Sequence, residues 1–194
     1  MSKDAGYNVS VRNLCEFAAK EGDLDLRFTP SPSAQQGREG HQLVASRRPP
    51  GHEAEVVLSA SYMPTNASTD GTDGTDAEAL LRVSGRADGY DPATNVLEEV
   101  KTFRGSLTAI APNHSALHWA QLRVYGWLMC QSRALPHITL SLVYFDVVDQ
   151  TEHPINEDWS AADLQVFFDA LCAHFLVWAQ SEQGHRRMRD AALQ

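Results

Sequence analysis

The chain switches between two hydrophobic periods, and each change of period marks an element. Ser10 precedes Val11, Leu14, Cys15, Phe17 and Ala18, a helical stripe with a capping side chain before it and Gly22 as its stop. Residues 23–32 read as extended and run into the turn-rich TPSPS. Ser33–Arg48 predicts a second helix, weakened by Gly37 and Gly40 and ended by Pro49-Pro50-Gly51. A strand is then predicted over Glu53–Tyr62, a polar loop rich in Asp, Thr and Gly over 63–79, and an alternating strand over Leu80–Tyr90. The loop lacks the ligand spacing and closing glutamate of a calcium-binding loop. In the strand after it, Leu81, Val83, Gly85 and Ala87 share one face, and Arg82, Ser84, Arg86 and Asp88 share the other. Asp91-Pro92 predicts a turn and Asn95–Phe103 the return strand. Pro112-Asn113 opens a helix to about Gln131, and Ile138–Val148 is apolar enough for a strand covered on both faces. The segment EHPINEDW suits a hairpin partner for it. Ser160 caps a last helix with Asp163 reaching back, and Leu164, Phe167, Phe168, Leu171, Phe175 and Trp178 form its apolar stripe. The order α, α, β, β, β, α, β, α predicts an α/β fold, a mixed sheet flanked by helices.

Composition narrows the functional classes. The 194 residues, 43% hydrophobic and 21% charged, suit one soluble domain. No stretch reads as the run of about 20 apolar residues that a membrane span needs. The N-terminus, MSKDAGYNVS, lacks the apolar core of a signal peptide, so a cytoplasmic protein without a membrane partner is expected. Cys15, Cys130 and Cys172 are far apart, form no CxxC pair and cannot supply four thiolates to a zinc or iron–sulfur site; they read as small buried hydrophobes. The net charge of −9 argues against binding nucleic acid by bulk electrostatics, though not against a local basic groove.

Against that background Asp88, Glu99 and Lys101 stand out. Glu99 and Lys101, two apart in a strand, point the same way, and the turn at Asp91-Pro92 brings Asp88 towards Glu99. The expectation is that two carboxylates and an ammonium converge on one patch of sheet, with the backbone carbonyl of Val100 beside them. Crowded carboxylates repel unless a cation is shared, and a hard divalent ion takes oxygen ligands of this kind. On Glu-x-Lys spacing alone, a surface ion pair explains the pattern as well.

Four ordered motifs change that weighting: His41 in REGH, Asp88 in GRADGY, Glu99-Val100-Lys101 in EEVK, and Gln121 to Tyr125 in QLRVY. Together they resemble the PD-(D/E)XK nuclease superfamily in its RecB-type branch, over about residues 9–180. The resemblance implies a restriction-endonuclease-like mixed sheet flanked by helices. It implies a metal-dependent DNA nuclease acting on single-stranded or flapped DNA, with Mg²⁺ or Mn²⁺ held by His41, Asp88, Glu99 and the Val100 carbonyl. Asp88, Glu99 and Lys101 are then the catalytic set, with Lys101 the catalytic cation. Gln121 and Tyr125 line the DNA path, Gln121 holding Lys101 or a phosphate, and Arg86, Arg104 and Arg123 supply phosphate contacts. The nuclease domain is expected over 1–182. The basic tail 183–194 resembles the linker that joins such domains to a DinG-like helicase. The alternative is a catalytically silent DNA-docking or assembly module attached to such a helicase.

Overall fold

A computed structural model describes residues 6–19, 32–64 and 81–192, the last ten of these as backbone only. Its elements are β1 (Tyr7–Ser10), α1 (Val11–Ala18), α2 (Ala34–Ser46), β2 (Glu53–Tyr62), β3 (Leu81–Asp91), β4 (Val96–Phe103), α3 (Pro112–Arg133), β5 (His137–Asp146), β6 (Glu152–Ser160) and α4 (Ala161–Ala192). The Gly22 stop, most of the extended stretch 23–32 and most of the loop 63–79 fall outside the described residues. The expected helices and strands are present within a few residues. β1 is an addition: four residues directly before a helix leave no alternation to read.

Local chemistry sets the boundaries. The Ser10 hydroxyl accepts from the Asn13 amide, and Ser33 and Gln36 form a reciprocal capping box at the start of α2. Pro112 stands in the first turn of α3, and Ala134, in the left-handed region, ends it. At the β3–β4 turn, Asp91 accepts from the Ala93 amide and the Thr94 hydroxyl. Ser160 and Asp163 bond each other at the entry to α4, as expected.

The six strands form one mixed sheet. β2 runs antiparallel along one edge of β3. The other edge of β3 is divided: β1 pairs in parallel with Leu81–Ser84, and β4 pairs antiparallel with only Gly89–Asp91. Residues 85–88 therefore have no strand partner on that side. β4 continues in parallel with β5, and β5 pairs antiparallel with β6.

Each face of the sheet has its own cover. Leu81, Val83, Ala87, Tyr90, Leu97 and Phe103 lie in the main core with α1, α3 and α4. On the other face Val100, Val143 and Phe145 pack against Val44 of α2. α2 can lie this low because of Gly40: a Cβ there would sit 2.7 Å from the Thr102 methyl and 3.0 Å from the Phe145 ring.

α4 corrects one sequence expectation. Its Ala161–Glu182 portion is long and apolar enough to cross a membrane by length and composition. Within the fold, Leu164, Phe168, Leu171, Cys172 and Leu176 of that portion are buried in the main core. The expected boundary at residue 182 falls inside this helix, which runs on to Ala192. All three cysteines are buried, as expected, and burial pushes Cys15 up to about 12 and Cys130 up to about 11.

Candidate active site

The divided edge of β3 makes an opening in the sheet, and the Asp88 carboxylate reaches across it. β4 decides the backbone geometry. The carbonyls of Asn95 and Phe103 accept from Thr139 and Val147 on the β5 side. Odd positions of β4 thus turn their backbone groups to β5, and even positions turn theirs to β3. At Val100 the β3 ladder has already stopped, so its amide donates instead to Asp88 Oδ2 at 2.7 Å. The Val100 carbonyl is directed to the same side, into the opening.

Asp88 is also joined to α2, its Oδ1 lying 3.1 Å from His41 Nδ1. This contact raises the His41 pKa above its ordinary value, against the effect of burial. Glu99 and Lys101 share a face, as their spacing predicts, and it is the α3 face. Lys101 Nζ donates to Glu99 Oε1 at 2.7 Å and to Gln121 Oε1 at 2.8 Å. Glu99 is buried, and desolvation holds its carboxyl above the usual range; Lys101 opposes the shift and Asp88 adds to it.

The two carboxylates therefore do not stand on one patch of sheet. His41 and Asp88 come from the α2 side and Glu99 and Lys101 from the α3 side, and the opening joins the two groups. Among the described residues no three His, Cys, Asp or Glu side chains are already gathered as a metal cluster. Two carboxylates, an imidazole and a carbonyl around one opening are nevertheless a donor set suited to a hard divalent cation. Glu99 is drawn onto Lys101, whose ammonium already balances part of the negative charge.

Two clefts meet here. One of about 900 Å³ runs between α2 and the sheet and is lined by Arg38, His41, Glu55, Arg86, Asp88 and Val100 among others. The second, about 380 Å³, lies on the α3 side, with Arg12, Lys101, His114, His118 and Tyr144. His41 and Val100 belong to both. His118 is half-buried beside Tyr144, its Nδ1 at 3.1 Å from the phenol, and desolvation pushes its pKa down to about 3.

The predicted DNA-contacting residues divide. Gln121 is buried and holds Lys101. Arg86 is exposed along the larger cleft, 3.4 Å from Glu55. Arg104 follows the end of β4 and is exposed, but lines neither cleft. Arg123 is placed away from both: it pairs with Glu157 at 3.1 Å, and its guanidinium lies 4.8 Å from the Trp159 ring centre and 5.7 Å from that of Trp119. Tyr125 is buried, with its hydroxyl beside the Gly85–Arg86 backbone at the opening. It fits against Gly85, where a Cβ would come within 2.8 Å of the ring. The structure thus packs Tyr125 against the β3 backbone rather than on an open surface.

Sequence reading missed the group that anchors α2. Arg48 donates to Glu98 at 2.7 Å and to Glu152 at 2.7 Å, and Arg47 also reaches Glu152. These partners are far apart in sequence, and only Glu98, beside Glu99, gave any local hint.

Among solved structures, an alkaline exonuclease from Laribacter hongkongensis superposes with a TM-score of 0.53 over 96% of this chain and 95% of its own, at 14% identity. The chain has a nuclease-like fold. SSO0001 superposes with a TM-score of 0.49, over 89% of this chain and 78% of its own, at 19% identity. No protein-family model and no curated protein matches the chain. The mixed sheet flanked by helices that the resemblance implied is therefore present, and within this nuclease-like fold the four motifs supply residues around one opening.

Proposed function

We propose that this protein is a metal-dependent DNA nuclease of the RecB-type PD-(D/E)XK branch. The observation that carries the reading is the opening between β3 and β4. Asp88, the Val100 backbone, Glu99 and Lys101 come together there at the meeting of two clefts. His41, Asp88, Glu99 and the Val100 carbonyl would hold Mg²⁺ or Mn²⁺, the imidazole favouring Mn²⁺. When bound, such an ion supplies Lewis acidity towards the phosphodiester and lowers the pKa of water.

The chain's own groups would do the rest. Asp88 keeps His41 and the Val100 backbone in one arrangement through its two oxygens. Gln121 keeps Lys101 directed at the site, where its ammonium would orient water or balance the charge that develops on the phosphate. Arg12, Arg38, Arg86 and His114 line the two clefts and would meet the phosphates of a single strand or flap passing through them. Attachment to a DinG-like helicase, through the helical extension beyond residue 182, would supply the wider basic surface that a chain of net charge −9 lacks.

The test is a digest of supercoiled, single-stranded and flapped DNA in Mn²⁺, in Mg²⁺ and in EDTA. Cleavage of the single-stranded or flapped substrates with metal, and none in EDTA, is expected. No cleavage in either metal at any concentration, with DNA binding intact, would instead make the domain a silent docking module.

A further inference from the structure

The register of β2 against β3 is continuous from Glu53↔Tyr90 to Tyr62↔Leu81 except at one pair, Glu55 opposite Asp88. Glu55 has a φ of +54°. Left-handed backbone is unfavourable for a residue with a Cβ, and it is rare inside a strand.

The alternation of both strands changes phase at this pair. In β3, Ala87 and Tyr90 are both in the main core, although they are three apart. In β2, Val56 packs against that core, and Glu53, also three away, bonds Arg133 at the end of α3. Because the pairs on either side of Glu55 and Asp88 keep one register, the two strands reverse together. Asp88 sits at the reversal. Its carboxylate thereby reaches sideways across the opening to the Val100 amide instead of standing off a face.

The Glu55 side chain has no comparable task. It is largely exposed, and its contact with Arg86 is a long one at 3.4 Å. We propose that Glu55 is a positioning residue for Asp88, acting through its left-handed backbone and not through its carboxylate. The consequence for a bound cation rests on the function proposed above; the consequence for the Val100 amide does not.

The experiment follows the Val100 amide by NMR in metal-free protein, with Asp88→Asn and Asp88→Ala marking its shift and exchange rate when the carboxylate is weakened or lost. Glu55→Gly and Glu55→Asn, which tolerate positive φ, are expected to keep the wild-type signal, and Glu55→Gly to raise the melting temperature. Glu55→Val, which does not tolerate it, is expected to move the signal towards that of Asp88→Ala and to weaken Mn²⁺ binding by about tenfold or more while Glu55→Gly stays near wild type. An unchanged signal in Glu55→Val overturns the proposal, and so does a lost signal in Glu55→Gly, a variant that does not depend on Glu55→Val folding. The expected amide pattern in a protein that binds no Mn²⁺ at all supports the positioning role and overturns the metal reading.

Discussion

Asp88→Asn is expected to abolish metal-dependent cleavage, by about 10³-fold or more, since a cation at the site stands for several kcal/mol of transition-state stabilisation. The fold should survive. An asparagine oxygen can still accept from the Val100 amide, and its NH₂ can face His41 if the ring presents an acceptor. What goes is the negative charge. In thermal scans, metal at about a hundred times its dissociation constant should stabilise the wild type by about 2.7 kcal/mol, which is about 5–10 °C for a domain of this size. The variant should melt near the wild type without metal and gain little from Mn²⁺. A variant that cleaves normally, or an equal Mn²⁺ shift in both proteins, would take Asp88 out of the cation site.

Lys101→Met is expected to separate binding from turnover. Cleavage should drop by about 10²–10⁴-fold, the usual contribution of a positioned proton-transfer group. Mn²⁺ should still bind, because the ammonium is not a ligand. The variant also carries a pH signature. Glu99 is buried with Lys101 as its partner, and its pKa is already raised by desolvation; losing the cation raises it further. A carboxyl whose folded pKa lies above its unfolded value binds the proton more tightly in the native state. Stability is therefore lost as pH climbs from the unfolded value towards the folded one. Metal-free Lys101→Met should fall behind the wild type by about 3 kcal/mol at pH 8, the scale of a broken buried ion pair, and by less at pH 6. Equal urea midpoints at both pH values would mean that Glu99 does not depend on Lys101.

Period and spacing explain what could be read from the residues. Glu99 and Lys101 share a face because they are two apart in a strand, and Gln121 meets Lys101 because a helix follows β4. The capping signals at Ser10 and Ser160 are local, and both were read; the capping box at Ser33 is as local but was not. The opposite sides from which Asp88 and Glu99 enter the site were not legible. Strict alternation placed Asp88 with Arg86, and both do line the cleft on the α2 side, but no composition signal announces a change of phase at a glutamate. Tyr125 and Arg123 were assigned outward from their place on α3. Their neighbours, the Gly85 backbone and the Trp159–Glu157 corner, belong to distant strands that helix periodicity cannot see. The anchor of α2 was hidden for the same reason, since Arg48 joins β4 and β6 across intervals that only the fold closes.

The divided edge of β3 also has a mechanical side. Within the sheet, β4 is joined to β3 by three backbone pairs and one carboxylate. The sheet's own hydrogen bonding is therefore sparse along the line that passes between Asp88 and Glu99. Ligand distances near 2.0–2.1 Å for Mg²⁺ and 2.3–2.6 Å for Ca²⁺ differ by only a few tenths of an ångström. A slight rotation of one wing of the sheet against the other would span that difference. Discrimination between ions would then come from how stiff this seam is, more than from which atoms line it.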